Sequence, residues 1–171
     1  MADVKVDFTR IVEENQAMVF SLALRFLRNY EVAEELAQDV FLQCHRQIDR
    51  IEDASHASHW LRRAVCHRSI DELRKRRFRP AIGLDDIPEP AAAGEMPDIM
   101  LRGRLRGLID TLPEKARMVV VLRYQEDLAP LEIADLLGMP VSTVKSHLHR
   151  SLAILRGRLE QKNLLMNEVY P

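Results

Sequence analysis

Apolar residues recur every three or four positions along most of the chain, and no stretch alternates apolar and polar residues as a strand would. The first stripe predicts a helix with Asp7 as its N-cap, and a second helix is predicted after Asn29-Tyr30. The first stripe comprises Phe8, Ile11, Val12, Met18, Val19, Leu22, Phe26 and Leu27. The second comprises Ala33, Leu36, Ala37, Val40, Phe41, Cys44 and Ile48. Both patterns predict an all-α domain.

A third helix is predicted to begin near Ser55 or Ser58 and to end at about Arg77, which closes a first domain of residues 1–79. Its apolar stripe, expected in the core, comprises Trp60, Leu61, Ala64, Val65, Ile70 and Leu73. Much of the remaining surface of this helix is basic, as binding to nucleic-acid phosphates requires. A basic helix can also be no more than a solvated face, so this feature alone decides nothing.

Residues 80–99 break the helical pattern with four prolines and two glycines. They hold five acidic residues and no basic ones, which predicts a flexible acidic linker. A second small helical domain is predicted from about Met100 to about Leu165.

This second domain contains a helix-turn-helix pattern. A short amphipathic helix starts at Leu131, Gly138 permits a left-handed turn, and Pro140 prevents the first helix from continuing. The next helix is predicted to begin near Ser142, with the core positions Val144, Leu148, Leu152, Leu155 and Leu159. Its opposite face carries short or cationic hydrogen-bonding groups, which suit a DNA recognition helix. These groups are Ser142, Thr143, Lys145, Ser146, His149 and Arg150.

The charge distribution sharpens this picture, because a net charge of -1 conceals two basic helices. Residues 1–57 hold six basic and eleven acidic residues, whereas residues 60–80 hold eight basic and two acidic ones. Residues 141–159 hold four basic residues and no acidic ones. Local basic stripes of this kind favour nucleic-acid binding in both domains.

Other classes find little support. Two cysteines without a CxxC spacing indicate a reduced, cytoplasmic setting, and no signal peptide or membrane span is expected. His56 and His59 lack the glutamate of a zinc-protease motif, and Cys66 and His67 are adjacent, so they point in different directions on a helix. We therefore expect no catalytic site, no metal site and no cofactor.

Three blocks, in this order, resemble the extracytoplasmic-function sigma factors of the sigma-70 family. The first two blocks resemble sigma region 2 and are AEELAQDVFLQCHRQIDRI and SHWLRRAVCHRSIDELRKRR. The third resembles sigma region 4 and is LPEKARMVVVLRYQEDLAPLEIADLLGMPVSTVKSHLHRSLAILRGRL. The resemblance implies a non-enzymatic subunit that directs core RNA polymerase to promoters and initiates transcription. It implies two small helical domains joined by a linker without a folded region 3.

The resemblance also assigns residues. The positions expected to meet the polymerase clamp are Glu35, Gln38, Asp39 and Gln43. Those expected at the minus-ten element are Arg62, Arg63, His67, Arg68, Arg74 and Arg77. The six polar residues of the recognition helix are expected at the minus-thirty-five element. His67 stands where the family usually has asparagine, so the base preference there is open.

The implied partners are core RNA polymerase, through its clamp and flap, and promoter DNA; an anti-sigma factor is a further partner common in the family. Two alternatives stay open from the residues alone. One is a free-standing helix-turn-helix regulator that does not need polymerase, and the other is a helical adaptor protein that binds acidic partners.

Overall fold

A computed structural model describes the backbone of residues 7–77 and 96–169 and the side chains of residues 7–77 and 103–161. Every regular element in those ranges is helical, which confirms the all-α prediction. The chain divides into two compact units, Met1–Pro88 and Glu89–Pro171, called unit 1 and unit 2 below. Each unit has a hydrophobic core.

The described residues of unit 1 form three helices, α1 (Phe8–Leu27), α2 (Tyr30–Arg46) and α3 (Ala54–Arg77), with a 3₁₀ turn (Ile48–Arg50) between the last two. A side chain caps the start of each helix. The Asp7 carboxylate accepts from the Thr9 N–H at 3.0 Å, and the Asn29 side-chain oxygen accepts from the Val32 N–H at 2.9 Å. The Asp53 carboxylate accepts from the His56 N–H at 2.8 Å. This third cap explains why α3 begins at Ala54 and not at the predicted Ser55 or Ser58.

The core of unit 1 lies among its three helices. Its fully buried side chains include Val19, Leu22, Phe26, Ala33, Val40, Cys44, Ala57, Leu61, Val65 and Cys66. The prediction for Trp60 is wrong: this side chain is only half-buried, and it lines a groove between α2 and α3. Position 69 faces the core instead and carries a buried serine. Both cysteines are buried and free, and burial raises the pKa of the Cys44 thiol.

Polar contacts fix both ends of α3 to α1. Near its start, the Ser58 hydroxyl donates to the side-chain oxygen of the buried Asn15 at 2.7 Å. The Asn15 amide in turn donates to the Ile11 carbonyl at 2.9 Å, so the buried amide is satisfied. Near its end, Arg76 donates to the Leu27 carbonyl, the last residue of α1, at 3.1 Å. The basic face of α3 is therefore held on a rigid support.

In unit 2, residues 96–169 are described and form four helices: α4 (Met96–Asp110), α5 (Glu114–Tyr124), α6 (Pro130–Leu137) and α7 (Val141–Val169). Helix α4 begins inside the segment 80–99 that composition assigns to the linker; residues 80–95 of that segment lie outside the described residues. Helix α7 continues beyond the predicted domain end at Leu165. Part of the core is a cluster formed by Leu112, Ala116 and Val120.

The turn between α6 and α7 confirms the predicted helix-turn-helix. Gly138 has a φ of +60°, in the left-handed region that glycine adopts without strain. The Met139 N–H donates to the Ala134 carbonyl at 3.1 Å, as in a Schellman motif. The Pro140 carbonyl then accepts from the Thr143 and Val144 N–H groups at 2.9 and 3.1 Å, so α7 starts immediately.

One predicted core position of α7 is wrong. Leu152 is 43% exposed, whereas Ser151 is 1% exposed. Each helical residue turns by about 100°, so Ser151 lies within about 20° of the buried Val144 and Leu152 lies about 80° away. The four-residue step from Leu148 to Leu152 suggested that both lie on one face of α7. The three-residue step from Leu148 to Ser151 stays closer to the buried face.

Candidate nucleic-acid and partner interfaces

The polar face of α7 is a preformed and exposed surface. Five of its six predicted residues are exposed and the sixth, Thr143, is half-buried. On a helix of about 3.6 residues per turn, these six positions cover an arc of about 160°, opposite Val144 and Ser151. The arc begins directly after the tight turn at Gly138. Helix α7 can therefore present this face to the groove of a duplex while its other side stays anchored in unit 2.

His147 marks the boundary between the exposed face and the core of unit 2. Its side chain is half-buried. Burial, followed by the positive charges of Arg150 and Lys115, lowers the pKa of His147. The neutral imidazole is therefore favoured at this boundary. The positive charge at the start of α7 comes from Lys145 and Arg150.

The basic residues of α3 differ in exposure. Arg63, His67, Arg74 and Arg77 are exposed, and Arg62 and Arg68 are half-buried. Arg74 lies 3.6 Å from Asp71 one turn earlier, in an ion pair whose two side chains are both more than 60% exposed. Such an exposed pair contributes little to stability and opens readily for another anion.

A groove of about 760 Å³ separates α2 from α3. Helix α2 contributes Glu35, Asp39 and Gln43, which follow one another at four-residue intervals. The α3 side includes Trp60, Arg63, His67 and Arg68. The charged residues lining the groove are of both signs and include the acidic Asp71 and Glu72. Three residues predicted for polymerase binding and three predicted for the minus-ten element therefore line the same groove.

Arg68 joins the two predicted sets directly. Its Nε and Nη2 donate to the Gln43 side-chain oxygen at 3.2 and 3.1 Å, and its Nη1 donates to an Asp39 carboxylate oxygen at 3.1 Å. The side chains of Arg68 and Asp39 remain 39% and 54% exposed. Helix α2 thus engages three nitrogens of this guanidinium group.

Gln38 is separated from the other three residues predicted to bind polymerase. It lines a second, mainly apolar groove of about 520 Å³ between α1 and α2, together with Phe20 and Phe41. The side chains predicted to meet the clamp therefore lie on two sides of the exposed surface of α2.

Leu42 is a further exposed residue of this surface that no sequence motif singled out. Its side chain is 56% exposed on α2, one turn after Gln38. A single exposed leucine is common in proteins, but this one lies among residues already assigned to a partner interface. The sequence did hold a sign of this: Leu42 is an apolar residue that lies outside the apolar stripe of Val40, Phe41 and Cys44.

Within the side chains that the structure describes, no group of three or more histidine, cysteine or acidic residues is arranged to hold a metal ion. No helix among the described residues is long and apolar enough to cross a membrane.

Two family models match the chain, and their ranges correspond to the two units. The model for Sigma-70 region 2 matches residues 11–79, and the model for Sigma-70, region 4 matches residues 102–155. The first therefore covers α1, α2 and α3, and the second includes α5, α6 and the first half of α7.

Named relatives match over most of their length. The chain is 31% identical to the ECF RNA polymerase sigma factor SigW of Bacillus subtilis, over 89% of this chain and 88% of the relative. It is 32% identical to the RNA polymerase sigma-E factor of Streptomyces coelicolor, over 93% of this chain and 89% of the relative.

Solved structures share the fold. The sigma factor RpoE from Bartonella quintana, crystallised with the anti-sigma factor NepR, matches with a TM-score of 0.73 at 19% identity, over 90% of this chain and 97% of that one. CnrH, in complex with the cytosolic domain of CnrY, matches with a TM-score of 0.60 at 20% identity, over 90% of this chain and 88% of that one.

Proposed function

The chain belongs to the extracytoplasmic-function sigma factors of RNA polymerase, and from this membership we propose how its two units divide the recognition of a promoter. As a member of this family it directs core polymerase to specific promoters and initiates transcription. The single observation that carries the proposal is that each matched region bears an exposed basic helix on a separate helical unit.

Unit 2 binds the minus-thirty-five element as duplex DNA. The start of α7 enters the major groove, where Lys145 and Arg150 donate to guanine edges or phosphates. Ser142, Thr143, Ser146 and His149 supply the shorter hydrogen-bonding groups of the same face. This assignment is supported by their exposure and by the absence of acidic residues from positions 141–159.

Unit 1 docks on the polymerase clamp through α2. The polar contacts come from Glu35, Gln38, Asp39 and Gln43, and Leu42 supplies an apolar centre between them. This composition suits a protein interface, in which an apolar anchor is surrounded by polar groups that provide specificity. The proposal is supported by the exposure of Leu42 and of the acidic residues around it.

Helix α3 of unit 1 holds the single strand of the opened minus-ten element. The groove between α2 and α3 is a poor site for phosphate, because its four acidic side chains outnumber the basic Arg63, Arg68 and Lys75. It suits an uncharged base, which can stack on Trp60 and form hydrogen bonds with His67. Arg62, Arg74 and Arg77 then bind the phosphates, and Arg63 and Arg68, which line the groove, contact the strand beside the base.

Both contacts are weak alone and act together. The proposed domains are residues 1–79 and 100–165, and residues 80–99 form the acidic tether that links them. Joining two weak sites raises the affinity for a promoter that carries both elements at the right spacing. The tether's own negative charge disfavours stable contact with DNA.

The remaining assignments follow from the same membership. We place the chain in the cytoplasm as a binding subunit without a catalytic site, acting with the clamp and flap of core polymerase. The structural relatives are sigma factors in complex with anti-sigma factors or, for CnrH, with the cytosolic domain of CnrY. An anti-sigma factor that covers these same surfaces is therefore a proposed partner.

The test is transcription in vitro with core polymerase and a pool of genomic promoter fragments, with and without the chain. New start sites that share two spaced motifs are the expected result. DNA binding as a dimer to an inverted repeat, without core binding or new starts, would favour the free-standing regulator. Binding without any sequence preference would favour the adaptor.

A further inference from the structure

Two side chains of α2 hold the guanidinium group of Arg68, a basic residue of α3. Gln43 accepts from Nε and Nη2, and Asp39 accepts from Nη1, all at 3.1–3.2 Å. A guanidinium group carries five N–H donors in one plane. Here one donor on each of its three nitrogens points toward α2. Arg68 is thus fixed in a position that does not depend on DNA.

Both proposed partners of unit 1 compete for the same three side chains. The clamp needs Asp39 and Gln43 as acceptors, but Arg68 already occupies the Gln43 oxygen and one oxygen of Asp39. A DNA strand that contacts Arg68 competes for its N–H groups, because three of its five donors already point to α2. Each outside partner therefore competes with the contact inside unit 1.

The contact can open at low cost. Both Arg68 and Asp39 keep more than a third of their side-chain surface exposed, so separating them leaves no buried charge. Exposed ion pairs are weak, and water or an external partner readily replaces one of the two members. Such a contact can bias which partner binds without blocking either one.

We propose that Arg68 is a coupling residue between polymerase binding and strand binding, an inference that rests on the proposed function. In the free chain, Asp39 and Gln43 withhold Arg68 from DNA. When the clamp engages Asp39 and Gln43, Arg68 is released toward the minus-ten strand. Thermodynamic reciprocity requires the converse as well: strand binding by Arg68 exposes the acceptors that the clamp uses. The expected coupling is about two- to fivefold, the size of an exposed ion pair.

A double-mutant cycle on the full chain, without polymerase, tests the first half of this coupling. The probe is a fluorescent oligo(dT) strand of about 16 nucleotides, whose affinity is measured at low salt. Asp39→Asn is expected to raise the affinity about two- to fivefold in the wild-type background and to have little effect beside Arg68→Ala, because no guanidinium is left to release. Conversely, Arg68→Ala is expected to matter more beside Asp39→Asn than alone.

The matched control is Glu34→Gln, which removes the same charge from an exposed position of α2 that lines the α1–α2 groove. It is expected to change the affinity by the same factor in both backgrounds. Equal effects of Asp39→Asn in both backgrounds would mean that Asp39 acts on DNA only through its negative charge and not through Arg68. That result would overturn the proposal.

A second measurement tests the other half. Arg68→Ala is expected to raise the affinity for core polymerase about two- to fivefold, because it removes the competitor for Asp39 and Gln43. An unchanged or lowered affinity would overturn the coupling. Failure of the proposed function has a different signature: the wild-type chain would not bind core polymerase at all.

Discussion

The two units of this sigma factor present DNA-binding residues in opposite ways. In unit 2, the proposed DNA contacts lie on an exposed face of α7, in a stretch without acidic residues. In unit 1, three of the six proposed DNA contacts line a groove with four acidic side chains, and one of them is paired across it. We therefore propose that unit 2 carries a preformed site for duplex DNA, whereas unit 1 carries a site that suits a single base and whose availability depends on a partner.

The largest expected effect concerns the proposed clamp-binding surface of unit 1. Leu42→Asp is expected to weaken binding to core polymerase by about 2 kcal/mol or more, roughly 30-fold, because it places an unpaired charge at an apolar anchor. Leu131→Asp makes the same change at a 70% exposed leucine of unit 2 that lies in no proposed interface. Equal losses for both variants in a core-binding titration would contradict the assignment.

The next effect concerns the preformed site. Arg150→Ala is expected to lower the affinity for a duplex carrying the minus-thirty-five element by about 1–3 kcal/mol. Arg156→Ala, also exposed on α7 but outside the proposed face, is the control and should cost much less. The affinity is measured by fluorescence anisotropy with core polymerase absent. A larger loss for Arg156→Ala would move the DNA contact away from the start of α7.

A smaller effect tests whether the stability of unit 2 can be changed at its turn without changing the stability of unit 1. Gly138→Ala is expected to destabilise unit 2 by about 1–2 kcal/mol, because a Cβ is strained at positive φ, although it would meet no atom within 4 Å beyond the adjacent residues. Gly107→Ala, which is equally uncrowded but lies inside α4, should stabilise the unit by about 0.5–1 kcal/mol.

Thermal unfolding distinguishes the two units, because the single tryptophan, Trp60, reports on unit 1. The far-ultraviolet circular dichroism transition should shift in opposite directions for the two glycine variants while the Trp60 fluorescence transition stays in place. A shift of both transitions together would show that the units do not unfold separately.

The smallest effect is a pH dependence of unit 2. The pKa of His147 is lowered, so the unfolded chain takes up this proton at a higher pH than the folded chain does. Stability should therefore be complete above the unfolded pKa of about 6.5 and should fall as the pH drops below it. His147→Gln is expected to reduce this slope in thermal melts. Identical slopes for the variant and the wild-type chain would exclude His147 as the cause.

Much of the fold follows from local patterns. Asp7 and Gly138 were predictable because a cap and a left-handed turn each depend on a few neighbouring residues. The start of α3 was predicted too late because Asp53, Ser55 and Ser58 are all good caps, and the sequence does not rank them. Leu152 was predicted in the core because leucine is hydrophobic. The geometry of the helix instead turns position 151, a serine, toward the core.

The binding surfaces were less predictable than the helices. The resemblance supplied candidate residues, but the pairing of Arg68 with Asp39 joins positions 29 residues apart and arises only when α2 packs against α3. Trp60 was predicted in the core because an aromatic side chain in an apolar stripe usually lies there. Only the packing of α2 against α3 shows that Trp60 lines a groove. Such features depend on how helices meet and not on the pattern along any one of them.

The most direct test of the central comparison measures two separate DNA fragments from a mapped promoter, each with and without core polymerase. One is the minus-thirty-five duplex and the other is the minus-ten single strand, with scrambled fragments and core polymerase alone as controls. Core polymerase should markedly increase sequence-specific binding of the single strand and change duplex binding little. Specific binding of the single strand by the free chain, with no gain from core polymerase, would contradict the account.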